Sequence, residues 1–327
     1  MTPIWKDYLV TLVNSTPSEG VGYELYNGTF GTFFTGRAYA RPGASSVTTR
    51  INDQVATLFQ RGLTFLGETD VPYLSVETEA SDYAFLDTET FAADWSYDPD
   101  FNASTQGLNF PICDILLPGQ RVPYSYPGSS TVYFRVSHPD ASAGEYNADF
   151  NADFTITGGT YTDVAIANGG AWKAAWLNLR DYPTATGVSC GHNTYRVGGG
   201  CGQYALYYVN AYGGWDTLAV LANTKRVDAL TRYTLDKDYS NTATHNRGRQ
   251  NYVNEVVTKL TFYTHYLTDE QSARMHHLLN SPTVYLHDVE KNHVWPIVLT
   301  GSSNERKRNG LNQYAIEAEL AQNRIRR

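Results

Sequence analysis

The segment YALYYVNAYGGWDTLAVLA, Tyr204 to Ala222, constrains the fold more than any other stretch of this chain. In an extended strand alternate side chains point to opposite faces, so Tyr204, Leu206 and Tyr208 share one face and Ala205, Tyr207 and Val209 the other. Both faces are apolar, and TLAVLA repeats the pattern. Such strands are covered on two sides, as in the interior of a sandwich or barrel. Gly213 and Gly214 supply the backbone freedom of a tight connection, and Trp215 follows as a core plug beneath it. An aromatic platform for sugar is the competing use of the same residues.

The remainder supports a β-rich reading. Short alternating runs recur between turn signals, and stretches with helical period are few. VGYELYNGTFGTFF reads as a hairpin turning at Asn27-Gly28, GRAYARPG as a further strand ended at Pro42-Gly43, and SSVTTRINDQVATLFQRG as a short helix presenting Val55, Leu58 and Phe59. LTDEQSARMHHLLNSP is the clearest helix. Thr268 and Gln271 have capping-box spacing, and Met275, Leu278 and Leu279 form its apolar stripe. A hairpin TVYLHD–HVWPIVLT follows, then a polar loop GSSNERKRNG and a strand LNQYAIEAEL with Tyr314, Ile316, Ala318 and Leu320 inward. The fold class expected is mainly β: antiparallel sandwich or barrel-like domains with a few short helices. An acidic, β-rich region over 1–187, with an inserted sandwich over about 64–187, precedes a hairpin, helix and strand unit over 188–327.

The 327 residues carry a formal charge of -8. That balance argues against broad binding to nucleic acid or acidic membranes. From Lys225 onward there are 15 Lys and Arg against 11 Asp and Glu, a net of +4, which leaves -12 for residues 1–224. MTPIWKDYLVTLV lacks a basic stretch before its apolar run and is not read as a signal peptide, and no window reaches the ~18 apolar residues of a membrane helix. Three cysteines are too few for a disulfide scaffold in a chain this long.

Each signature of chemistry fails at a named position. DFNAD (Asp149 to Asp153) opens like a calcium loop, but Phe154 stands where glycine is required and Thr160 where the bidentate glutamate belongs. Cys190, His192 and Cys201 offer three zinc ligands where a structural site wants four; two buried thiols or a disulfide across the hairpin are the other readings. His276 and His277 are neighbours, without HExxH or an i, i+4 pair, and are expected to face apart on their helix. GGGCG lacks the lysine and helix of a phosphate loop. A paired-carboxylate glycosidase is left open by sequence, because carboxylate separation is a three-dimensional quantity. No catalytic, cofactor or metal residue is assigned.

Several segments together carry a resemblance: FFTGRAYARPG with RINDQVATLF, YALYYVNAYGGWD, YLTDEQSARMHHLLNSPTVYLHD, HVWPIVLT and YAIEAELAQNRIRR. Taken in this order, and covering about half the chain, they resemble virion structural proteins of phages that infect Bacteroides-like gut bacteria, including the crAss-like group. The resemblance implies a β-rich tail or neck component made in the host bacterial cytoplasm and forming a ring, a homo-oligomer that also meets other tail or neck proteins. It implies no active-site residues, no cofactor, no sequence-specific nucleic-acid binding and no membrane insertion. The uneven charge suits head-to-tail contact, with Arg306, Lys307, Arg308, Arg324, Arg326 and Arg327 meeting an acidic neighbour. A carbohydrate-binding or host-adhesion module, and a glycoside-active enzyme, are the alternatives from other classes.

Overall fold

In the computed structural model, the residues described are 2–3, 8–13, 21–27, 31–39, 46–55, 73–80, 85–92, 108–125, 131–139, 145–150, 152–157, 160–167, 174–198, 202–221, 224–237, 248–306, 310–321 and 324–326. They form antiparallel sheets with few short helices, the mainly β architecture expected.

The first strands are β1 (Thr2–Pro3), β2 (Leu9–Val13), β3 (Val21–Asn27), β4 (Gly31–Ala38), β5 (Ser46–Arg50), β6 (Tyr73–Ala80) and β7 (Phe85–Ala92). They build a sheet of order β1-β7-β6-β3-β4 and a separate pair β2-β5. β3 and β4 pair antiparallel with a bulge beside Leu25, and Asn27 is the last residue of β3, opposite Gly31; Gly28 lies outside the described residues. Two readings are corrected here. Gly36, Arg37 and Ala38 continue β4 rather than starting a new strand, because the ladder to β3 extends as far as Val21↔Ala38. SSVTTR is β5, and helix begins only at Asn52, whose side chain accepts from the backbone N–H of Tyr8 at 2.8 Å. Val55 is buried there. Leu58 and Phe59 lie outside the described residues.

A second unit comprises β8 (Ile115–Leu116), β9 (Arg121–Ser125), β10 (Thr131–His138), β11 (Glu145–Phe150), β12 (Ala152–Thr157), β13 (Thr160–Ala167), β14 (Ala174–Asn178), β15 (Gly187–Cys190) and β16 (Asn193–Val197). The sheet β13-β10-β15-β16-β8 and the pair β14-β9 enclose one core that includes Val122, Tyr124, Phe134, Val136, Leu177, Val188 and Tyr195. Val132, Phe134 and Val136 recur at every second position and point into that core, as sandwich strands require. Where the sequence suggests a division at residue 187, β15 and β16 carry this unit on to Val197, while β6 and β7 belong to the first sheet.

The third unit closes on itself. Its strands are β17 (Tyr204–Val209), β18 (Trp215–Ala219), β19 (Lys225–Lys237), β20 (Gly248–Tyr263), β21 (Val284–Asp288), β22 (His293–Arg306), β23 (Asn312–Leu320) and β24 (Arg324–Arg326). The order is β18-β17-β21-β22-β23-β20-β19, with β24 also on β20. A bridge between Val220 and Thr264, with Leu221 N–H donating to Tyr263 C=O at 2.8 Å, brings the segment after β18 back to the end of β20, the strand beside β19 in the path. The result is a small barrel from which β19 projects as an outer strand. Leu206, Tyr208, Leu218, Phe262, Leu286 and Ile316 fill it. Each buried side chain of this size contributes about 1.5–3 kcal/mol.

The helix read over LTDEQSARMHHLLNSP is two short helices, Asp269–Ala273 and Met275–Leu279, meeting at Arg274. The capping box of Thr268 and Gln271 is present in full. Met275 and Leu278 enter the barrel core, and His277, not Leu279, is the third buried residue. The expected polar loop GSSNERKRNG is also corrected. Gly301 to Arg306 extend β22 and pair with β23 as far as Arg306↔Asn312.

Candidate functional site

The Tyr204–Asp216 hairpin is a structural hub. Val209 pairs with Trp215 across it, Gly213 has φ +83°, and a Cβ on Gly214 would run into the Leu108 carbonyl. Asn210 locks the turn, accepting from the N–H groups of Tyr212 (2.9 Å) and Gly214 (3.1 Å). The two faces separate as the alternation requires: Leu206 and Tyr208 enter the barrel, while Tyr207 and Val209 join Trp215 against Trp176 and Tyr285. Trp215 is 1 % exposed, so these aromatics are core and offer no sugar platform.

Buried polar groups around the hub are committed to one another. Asp216 accepts from Asn109 Nδ2 (3.1 Å), Phe110 N (3.0 Å) and Asn210 Nδ2 (2.7 Å), and burial outweighs these donors to push its carboxyl up to about 6. Tyr207 Oη accepts from Arg121 N at 2.9 Å and lies 3.0 Å from His287 Nδ1, whose ring reaches Asn292 at 3.4 Å. A neutral His287 accepting at Nδ1 and donating from Nε2 satisfies this chain. Burial pushes His287 down to about 4, and burial with neighbouring His276 and Arg274 does the same to His277. The rings of His276 and His277 do not face apart; their centroids are 4.0 Å apart.

The other motifs bring no chemistry together. Cys190 is buried, free and donates to the Tyr133 carbonyl at 3.2 Å, with burial holding its thiol well above the usual range. His192 is exposed, and Cys201 lies outside the described residues. Asp149 and Asp153 are cross-strand partners in the β11–β12 hairpin. Among the described residues no group of three His, Cys, Asp or Glu is placed to hold a metal ion, and no helix is long and apolar enough to cross a membrane.

Two open sheet edges distinguish the third unit. β19 runs thirteen residues and, among the described residues, pairs with β20 alone. Nearly all of its described side chains from Lys225 to Thr234 are exposed. On the opposite side, β21 covers β22 only as far as Ile297, so among the described residues the Val298–Arg306 segment has a strand on one side, β23. A row of cross-strand partners spans the sheet between these edges: Val227, Lys259, Glu319, Val298. Lys259 and Glu319 form an ion pair of 3.2 Å at its centre.

No family model matches the chain, and no curated protein does. Among solved structures, the chain is similar to one described as the tail of an empty GTA particle with C6 symmetry, at 14% identity and a TM-score of 0.26, over 38% of this chain and 94% of that one.

Of the six basic residues expected at a subunit contact, Arg306, Arg324 and Arg326 are among the described residues. Arg306 ends β22, where it pairs with Asn312 and donates to Asp269 at 3.0 Å. From Asn312, β23 leads away to Leu320, about 26 Å at the usual rise per residue, before β24 begins. Arg324 and Arg326 lie on β24, opposite Val256 and Asn254. Lys307, Arg308 and Arg327 lie outside the described residues. Sequence reasoning misses β19 and β20 altogether. The alternation of Leu260 and Phe262 in VTKLTFY is the signal that could have found β20.

Proposed function

We propose that this chain is a structural rather than catalytic protein, a bacteriophage tail or neck component that assembles into a ring through heterologous contacts between copies. The observation that carries the reading is the long open edge of β19. An exposed ladder recruits further strands, and the β19–β20 ladder runs regularly from Lys225 to Tyr233 before its register shift at Tyr233/Thr234. A strand of thirteen residues projecting from a closed barrel suits permanent assembly. The commitment of Asp216, Tyr207 and His287 to internal hydrogen bonds supports a scaffold over an enzyme. The segments resembling crAss-like virion proteins point the same way, toward a virion location and synthesis in the host bacterial cytoplasm.

Mass spectrometry of purified virions from the source of this sequence tests the reading. The expected result is the chain at many copies per particle, near those of other tail or neck proteins. Absence from purified virions overturns it.

A further inference from the structure

The open edge of β19 is complementary to itself. Two copies related by a two-fold axis perpendicular to the sheet set β19 against β19 as an antiparallel pair, the more stable of the two pairings per residue. Such an axis keeps every residue on its own face, so opposed residues have the same parity and the pair is centred on one residue. Centring on Leu230 sets Val227 opposite the second copy's Tyr233, Asp228 opposite Arg232, Ala229 opposite Thr231, and Leu230 opposite its own copy. The span Val227 to Tyr233 lies within the part of β19 that pairs with β20 without a register shift, and among the described residues no strand occupies its other side.

The chemistry of this register matches at each position. Val227, Leu230 and Tyr233 are 44%, 47% and 45% exposed, and the contact covers all three. Leu230 lies beside Val256 of β20, so the central row across the joined sheets reads Val256, Leu230, Leu230, Val256. Asp228 and Arg232 meet twice, once on each side of the axis, and opposite charges across a ladder stabilise it. Asp228 also accepts from Thr258 Oγ1 at 2.7 Å and pairs with Arg226 at 3.3 Å, which holds its carboxylate in place. The neighbouring registers fail. Centring on Ala229 puts Arg226 against Arg232, centring on Asp228 or on Arg232 puts that charge against its own copy, and centring on Thr231 puts Arg232 against Leu230. Like charges directly opposite one another destabilise a pair.

We infer that two copies of this chain pair through β19, antiparallel and centred on Leu230, joining their sheets into one. The inference goes beyond the ring reading. This contact is two-fold, so heterologous contacts around a ring use other surfaces, and the pairing joins one ring to a second.

The test uses the full chain. Asp228→Arg and Arg232→Asp each set like charges opposite one another on both sides of the axis, so each variant alone should dimerise about tenfold more weakly in sedimentation. Mixed in equal amounts, the two variants restore opposite charges at both positions, and a dimer holding one copy of each should return. Dimerisation indifferent to both substitutions, or not rescued by mixing, overturns the inference. L230C oxidised under native conditions should give a covalent dimer and nothing larger, while V227C and the unsubstituted chain give none; dimers from V227C in place of L230C overturn it. If the variants fail to fold, hydrogen exchange on the unsubstituted protein decides: alternate amides from Val227 to Tyr233 should slow about tenfold or more on assembly, and unchanged exchange in an assembled protein overturns the inference. Rings that form without the Leu230 cross-link remove this contact and leave the ring reading standing, whereas cross-linked dimers that build no ring remove the ring reading and leave this contact.

Discussion

Asn109 and Asp216 are 107 residues apart in sequence and meet at 3.1 Å in the interior, where the Asn109 amide also donates to the Trp215 carbonyl at 2.6 Å. This contact fastens the segment before β8 to the start of β18, tying the sandwich to the barrel. Asp216 faces donors only. Asp216→Asn turns one carboxylate oxygen into a donor that meets either the Asn109 donor or those of Phe110 and Asn210. We expect a loss of about 1–3 kcal/mol, read from urea denaturation, with Asn109→Ala in the same range.

Trp215→Ala removes the largest fully buried side chain from between Trp176, Tyr285 and Tyr207. The turn above it is fixed by Asn210 and Gly214, so the surroundings cannot collapse onto the space. A loss of roughly 3–5 kcal/mol is expected. The native tryptophan emission should also lose a blue-shifted component. Unchanged melting would remove Trp215 from the core.

Adjacent tyrosines give opposite outcomes. Tyr207→Phe strands the Arg121 N–H and His287 Nδ1 and should cost about 1–3 kcal/mol. The Tyr208 hydroxyl is equally buried and, among the described residues, has no hydrogen-bond partner. Tyr208→Phe should therefore be neutral or stabilising, since it deletes a desolvated group. Thermal melts of the two variants in parallel decide the point.

The buried histidines set the acid limit. His277 and His287 have folded-state values lowered to about 4 against an ordinary 6.5. Their stabilisation is complete above pH 6.5 and is lost as pH falls toward 4, because the unfolded chain takes up the protons first. Each is worth about 2–3 kcal/mol by about pH 4.5. Asp216, raised to about 6, works with the opposite sign and offsets part of the loss over the same window. Stability measured from about pH 7 to about 4.5 should fall, and His277→Asn should make the fall shallower.

The legible parts of this fold are those where burial imposes a period. The two-faced strands around Gly213-Gly214, the capping box of Thr268, and the inward set Ile316 and Ala318 are readable because packing leaves no other arrangement. The polar end of β22, Gly301 to Arg306, and the outer strand β19 are not, because a strand exposed on both faces carries no apolar alternation. The placement of the basic residues is not legible in the sequence either. Arg306 and Arg324 are near in sequence, but the length of β23 separates them. Charge totals count residues without regard to which end of a strand they occupy.

Electron cryomicroscopy of the purified protein, classified without imposed symmetry, tests ring assembly most directly. Closed rings of one dominant order are the expected result. Uniform monomers at every concentration and salt would contradict it.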